Sequence, residues 1–239
     1  MAYRKGRPPW TNLIVRASLL AFALSTLLFY KDFAEHFYAH FTGSLIGIVV
    51  MGQWQVVAVN IAFFISFLVP LTFRRKANWK EYGLVVAFFV SLFVEMYGIP
   101  LTIMLASRAI GPQQIEGLHY VLVVPFLGVN LAFTIPMVYG TVLMCLGMAL
   151  IIVGWVTLYR NVKKAKLVTS GLYSISRNPQ YLGFMMVIVG WLVGWPTLLT
   201  IIFAPILLFF YYRLCKTEEK EVSDLPGYKK YRKRVPLLV

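Results

Sequence analysis

Apolar residues fall in long runs separated by short polar, basic stretches. About 20 such residues carry a helix across the hydrocarbon core of a bilayer. On that criterion spans are predicted near 12 to 30, 48 to 73, 82 to 107 and 134 to 159. The last apolar region, 179 to 213, is interrupted by Gly194-Trp195-Pro196, which predicts a tight hairpin of two short helices over 179–194 and 197–213. The first of these barely spans unless the bilayer thins locally. The expected fold is therefore an all-α polytopic membrane protein of six helices. The pattern divides it into an N-terminal region, 1–130, with no motif, and a C-terminal region, 131–239, that carries the motifs.

Polar residues within and between the runs supply the candidates for chemistry. His36 and His40, four apart in an aromatic segment at 31–47, can meet a metal from one helix face. No third ligand is apparent, and an interfacial aromatic belt is the preferred reading. Segment 108–130, with Gly111-Pro112, Glu116, His119 and Pro125, reads as a loop with a re-entrant or interfacial piece. Asn60 in the second span and Glu95 in the third are costly in lipid and should face the bundle interior. They form either a structural hydrogen bond or a polar wall that binds substrate. Gly140, Gly147 and Gly154 lie seven apart, and Gly183, Gly190 and Gly194 form a similar stripe, so these two helices are expected to pack closely.

The densest polar pattern is LVTSGLYSISRNPQYLG, from Leu167 to Gly183. Ser170, Gly171 and Ser176 mark a turn, Asn178 is a favoured N-cap, and Pro179 fits the first helical position because no intrahelical donor is needed there. Arg177 then sits beside a helix N-terminus, and the two together suit an anion. The residues Gly171, Tyr173, Arg177, Asn178, Pro179, Tyr181 and Gly183 resemble the signature of the isoprenylcysteine carboxyl methyltransferase and phospholipid methyltransferase group of membrane enzymes. A second block, Thr217 to Val222, then Gly227, Tyr228, Tyr231, Val235 and Pro236, is similar to the tail of the isoprenylcysteine branch. The chain differs from that branch in having Asn178 where a histidine is usual, and in placing Gly227 directly before Tyr228.

The resemblance implies S-adenosyl-L-methionine as cofactor and methyl transfer to a lipophilic acceptor, most like carboxyl O-methylation of isoprenylcysteine. Each part of that cofactor needs a different partner. Arg177 and the helix start would clamp its carboxylate. Glu218 or Glu219 would meet its ammonium or ribose hydroxyls, and Tyr173, Tyr181, Tyr228 and Tyr231 offer faces to its sulfonium or adenine. Gly171 and Asn178 complete the expected cofactor set, with Arg177 and Glu219 as the catalytic pair. Two other readings compete. Membrane sterol and steroid reductases share a similar turn but use NADPH, and their tails generally lack paired acidic residues such as Glu218 and Glu219. A non-catalytic carrier is suggested only by Glu95 and the Gly98 and Pro100 that follow it.

Composition and charge sharpen this picture. Of 239 residues 59% are hydrophobic and 13% charged, which excludes an ordinary soluble domain. The first apolar run is longer than a signal-peptide core and is expected to be retained. Nucleic acid is a poor explanation of the net charge of +14, because the large basic clusters flank apolar spans. Of the 23 lysines and arginines, all but Lys31 and Arg108 fall on one side of an N-in, C-in arrangement. Both motif blocks then face the cytoplasm, beside membrane lipids. Cys145 and Cys215 read as packing residues.

Overall fold

The computed structural model describes residues 10–42, Val86, Val90, 118–126, 129–161 and 167–238. Among them the chain is mostly helical. Helix α1 (Trp10–Ser25) passes through a 3-10 turn (Thr26–Phe29) into α2 (Tyr30–Thr42). Strands β1 (Tyr120–Phe126) and β2 (Val129–Thr134) lead into α3 (Ile135–Asn161). After a second 3-10 turn (Gly171–Ser174) come α4 (Pro179–Gly194), α5 (Leu198–Val222) and a short α6 (Tyr228–Arg232).

Among the described residues, three segments are long and apolar enough to cross a membrane, Leu13–His40, Ile135–Asn161 and Leu198–Lys220, with α4 as a shorter apolar helix. Their positions follow the runs read from the sequence, and α4 has the expected bounds. Helix α5 does not stop at 213. The residues that follow, Leu214, Lys216, Glu218, Glu219 and Lys220 among them, are good helix formers, so polarity ends the apolar run without ending the helix. At 1.5 Å per residue α5 is about 37 Å long, more than a hydrocarbon core of about 30 Å. The spans expected at 48–73 and at 82–107, apart from helical Val86 and Val90, lie outside the described residues, as do Asn60 and Glu95.

The all-α expectation needs one correction. Residues 120–134 form an antiparallel hairpin, with Val123 opposite Ala132 and Phe126 opposite Val129, and a register shift between Tyr120 and Leu122. Val121, Val123 and Val124 are β-branched and favour a pleated strand. The loop expected over 108–130 therefore gives way to strand from Tyr120 onward.

The chain forms two compact units. One comprises residues 29–144 and 188–208. Here buried His36 ties three elements together: its Nε2 donates to the Gly194 carbonyl at 2.9 Å, leaving Nδ1 to accept from the Thr134 hydroxyl at 2.9 Å in the neutral ring. His36 is thus a buried, hydrogen-bonded packing residue. The α4 to α5 connection in this unit closes with a reciprocal cap. The Thr197 hydroxyl accepts from the Thr200 amide at 3.2 Å, and the Thr200 hydroxyl accepts from the Thr197 amide at 2.7 Å.

The other unit comprises residues 1–28, 145–187 and 209–239. Helices α3 and α4 run antiparallel there with their backbones nearly touching. A methyl group at Gly183 would lie 2.5 Å from the Gly147 carbonyl oxygen, and one at Gly147 would lie 2.6 Å from that of Gly183. The glycine stripes pack as expected, and Gly190 meets Gly140 in the same way within the other unit. Tyr211 of α5 stacks on Phe184 of α4, with ring centroids 5.1 Å apart, and Tyr181 lies against the same ring at 6.3 Å.

Candidate active site

The turn before α4, the last turns of α5 and the C-terminal segment converge within one unit. Gly171 opens the turn with φ of +66°, in the left-handed region that side chains rarely adopt. The 3-10 turn that follows buries Tyr173 and brings Ser176 and Arg177 to the foot of α4. The Ser176 hydroxyl accepts from the Asn178 amide at 3.2 Å, and α4 begins at Pro179.

Arg177 then points at α5. Its Nη1 lies 2.6 Å from Glu219 Oε1, and the two side chains are only 9% and 14% exposed. The Tyr228 hydroxyl donates to the same carboxylate oxygen. This is possible because the chain reverses over residues 223–227, where Gly227 takes φ of +86° and starts α6, laying Tyr228 back along α5. The Tyr231 hydroxyl donates to the Tyr173 carbonyl at 2.6 Å. Tyr228, Tyr231 and Val235 form a buried cluster against which Leu167 packs.

The extreme C-terminus closes the arrangement. The Arg177 amide donates to the Pro236 carbonyl at 3.0 Å, and the Asn178 side-chain amide donates to the Leu237 carbonyl at 3.4 Å. Asn178 therefore links the helix start to the tail. Burial dominates the titration of the three phenols. It pushes Tyr228 up to about 12, with the Glu219 carboxylate adding to the effect, and raises Tyr173 and Tyr231 further.

Residues 153–225 match the phospholipid methyltransferase family. Methyltransferases of this family use S-adenosyl-L-methionine. The matched stretch holds Gly171, Tyr173, Arg177, Asn178, Tyr181, Glu218 and Glu219, and ends just before α6, so Tyr228 and Tyr231 lie beyond it. No curated protein and no solved structure matches the chain significantly.

The residues present suit such a cofactor on one structural ground. Among the described residues, the buried Arg177 Nε and Tyr173 hydroxyl have no hydrogen-bond partner. Leaving a buried donor unpaired costs about 1–3 kcal/mol, which a ligand carboxylate reaching it would recover. The structure brings Tyr173, Arg177, Asn178, Glu219, Tyr228 and Tyr231 together. It places Tyr181 in the interface between α4 and α5, and gives Gly171 a conformational task. The partnership of Arg177 with Glu219 was not readable from the motif, nor was the part played by the backbone at Pro236 and Leu237.

Proposed function

We propose that the protein transfers a methyl group from S-adenosyl-L-methionine to a lipophilic acceptor held in the membrane, and that the acceptor atom is a carboxylate oxygen of an isoprenylcysteine-like lipid. The observation that supports this reading is the buried set of Arg177, Glu219 and Tyr228 with unpaired donors beside it, the first two residues inside a stretch matched to a methyltransferase family. When bound, the cofactor supplies an electrophilic methyl group on a sulfonium sulfur. Arg177 holds its carboxylate through Nε, while Glu219 fixes the guanidinium in place and stands ready for the ammonium. The phenol of Tyr173 offers a second donor, and Gly171 and Asn178 hold the turn that presents both. Tyr228, Tyr231 and the tail exclude water from the site.

Acceptor chemistry follows from what these residues can do with a proton. An amine acceptor must lose one, whereas a carboxylate is already an ionised nucleophile. Burial keeps the tyrosines protonated, and Glu219 is already ion-paired with Arg177 and accepts from the Tyr228 hydroxyl. A carboxylate acceptor asks nothing further of them. Glu95 and Asn60 are proposed to line the acceptor cavity, in an arrangement of six spans with both termini and the site on the cytoplasmic side.

Calorimetric titration of purified protein with S-adenosyl-L-methionine, and separately with NADPH, tests the reading. Binding of the first that is lost in Arg177→Ala is expected. Binding of NADPH alone would sink methyl transfer in favour of a reductase. Turnover on a farnesylated cysteine with a free carboxylate, and none on an amino lipid, is the result expected for the acceptor.

A further inference from the structure

The C-terminal segment that roofs Arg177 has a second side. There, Leu13 and Arg16 of α1 and the five consecutive residues 232–236 line a cavity of about 460 Å³. That is large enough for a small-molecule group, since such sites run to roughly 300–1,000 Å³. Four of its seven lining residues are cations, Arg16, Arg232, Lys233 and Arg234, and none is acidic. The remainder, Leu13, Val235 and Pro236, are apolar. Leu13 is the first residue of a candidate membrane span and is 68% exposed, so the cavity lies where an apolar helix surface meets a basic one. In a membrane protein that boundary is the level of the lipid headgroups.

We infer that this cavity binds the headgroup of an anionic phospholipid, and that the bound lipid holds the C-terminal segment over the Arg177 turn. The cations meet the phosphate and any further headgroup charge, and the apolar residues meet the glycerol and upper acyl chain. A soluble phosphate would answer only the first of these features. The link to the turn is direct. Pro236 lines the cavity with one face and accepts the Arg177 amide through its carbonyl, and Val235 lines the cavity while packing on Tyr228 and Tyr231. A ligand that bridges α1 and residues 232–234 resists lifting of the segment in which those contacts are made.

Hydrogen exchange of the full-length protein in lipid nanodiscs tests this without any methyl donor. The probes are the Arg177 amide, bonded to Pro236, and the Val235 amide, bonded to Tyr231. Exchange at both is expected to slow about tenfold when phosphatidylglycerol is added to phosphatidylcholine discs. In Arg232→Gln/Lys233→Gln, where both replaced side chains are exposed, the slowing is expected to vanish, because each cation near an anionic surface contributes roughly fivefold in affinity. The conservative Arg232→Lys/Lys233→Arg variant should restore it. Equal exchange in the two discs, or slowing that survives the loss of both cations, overturns the site. Equal slowing by inorganic phosphate or an acidic peptide in phosphatidylcholine discs overturns a lipid as its occupant. Failure to bind S-adenosyl-L-methionine would count against methyl transfer and leave this result standing.

Discussion

Arg177 is the residue whose surroundings change most between motif and structure. Its position beside a helix start was legible, because Asn-Pro marks the start and a basic residue before it points to an anion. Its nearest anion is nonetheless Glu219 of the chain itself, 2.6 Å away. That pairing depends on how residues 223–227 reverse the chain, which no local pattern specifies. Removing one partner leaves a largely buried charge alone. Glu219→Gln is therefore expected to destabilise the protein by about 3 kcal/mol, and Glu219→Gln with Arg177→Gln by less than the sum of the two single changes. Thermal unfolding of the four proteins in detergent measures that coupling. Tyr228 supplies a pH test. Its phenol titrates near 10 in the unfolded chain and near 12 in the folded one. Below pH 10 both states hold the proton and the stabilisation is complete. Between pH 10 and 12 only the unfolded state releases it, so stability should fall by about 1.4 kcal/mol per pH unit. Tyr228→Phe is expected to remove that share of the alkaline slope, measured by denaturation at fixed pH steps.

Element boundaries were legible where a single residue type dictates them. Pro179 starts α4 and the Gly194-Trp195-Pro196 break ends it, because proline cannot donate and a tight turn needs small or rigid residues. The start of α5 was less visible, since two threonines at Thr197 and Thr200 do the work usually signalled by glutamate or glutamine in a capping box. Thr200→Val is expected to cost about 1 kcal/mol, read as a lower unfolding temperature with cofactor binding unchanged. The hairpin at 120–134 is not legible from turn residues alone, because Pro125 and the nearby Gly128 signal a loop while the β-branched Val121, Val123 and Val124 favour strand. The glycine stripes, in contrast, translate directly into packing, and they differ among themselves in a way that can be measured. At Gly183 an added methyl meets the Gly147 backbone and the Ile151 side chain, at 2.5 and 2.8 Å, so the helices must separate. Gly183→Ala should cost about 2–3 kcal/mol. Its counterpart Gly154 faces the Gln180 side chain, 2.8 Å away, which can swing aside. Gly154→Ala should change stability far less, and equal losses at the two positions would refute close backbone packing as the purpose of the stripe.

At the scale of the whole molecule, hydropathy shows which segments meet lipid because 20 apolar residues leave a chain few other choices. It shows less of how the parts interlock, since His36, Thr134 and Gly194 lie far apart in sequence and are joined only by folding. The described residues supply three long apolar spans and the shorter α4; the proposed arrangement adds crossings at the runs 48–73 and 82–107, six in all, with both termini on one side. In that proposed arrangement the distribution of lysine and arginine assigns that side to the cytoplasm, because basic loops resist translocation. The proposal is sensitive to the count: five crossings would put the termini on opposite sides. Lys229 of α6 is exposed, so a cysteine placed there can be reached from water. In a background without Cys145 and Cys215, Lys229→Cys is expected to react with a membrane-impermeant maleimide only after cells are opened, as is a cysteine at Ala2. Labelling of Lys229→Cys in intact cells would place the Arg177 site outside, away from a cytosolic supply of cofactor. Opposite behaviour of the two ends would show that one of the runs at 48–73 or 82–107, or α4, does not cross.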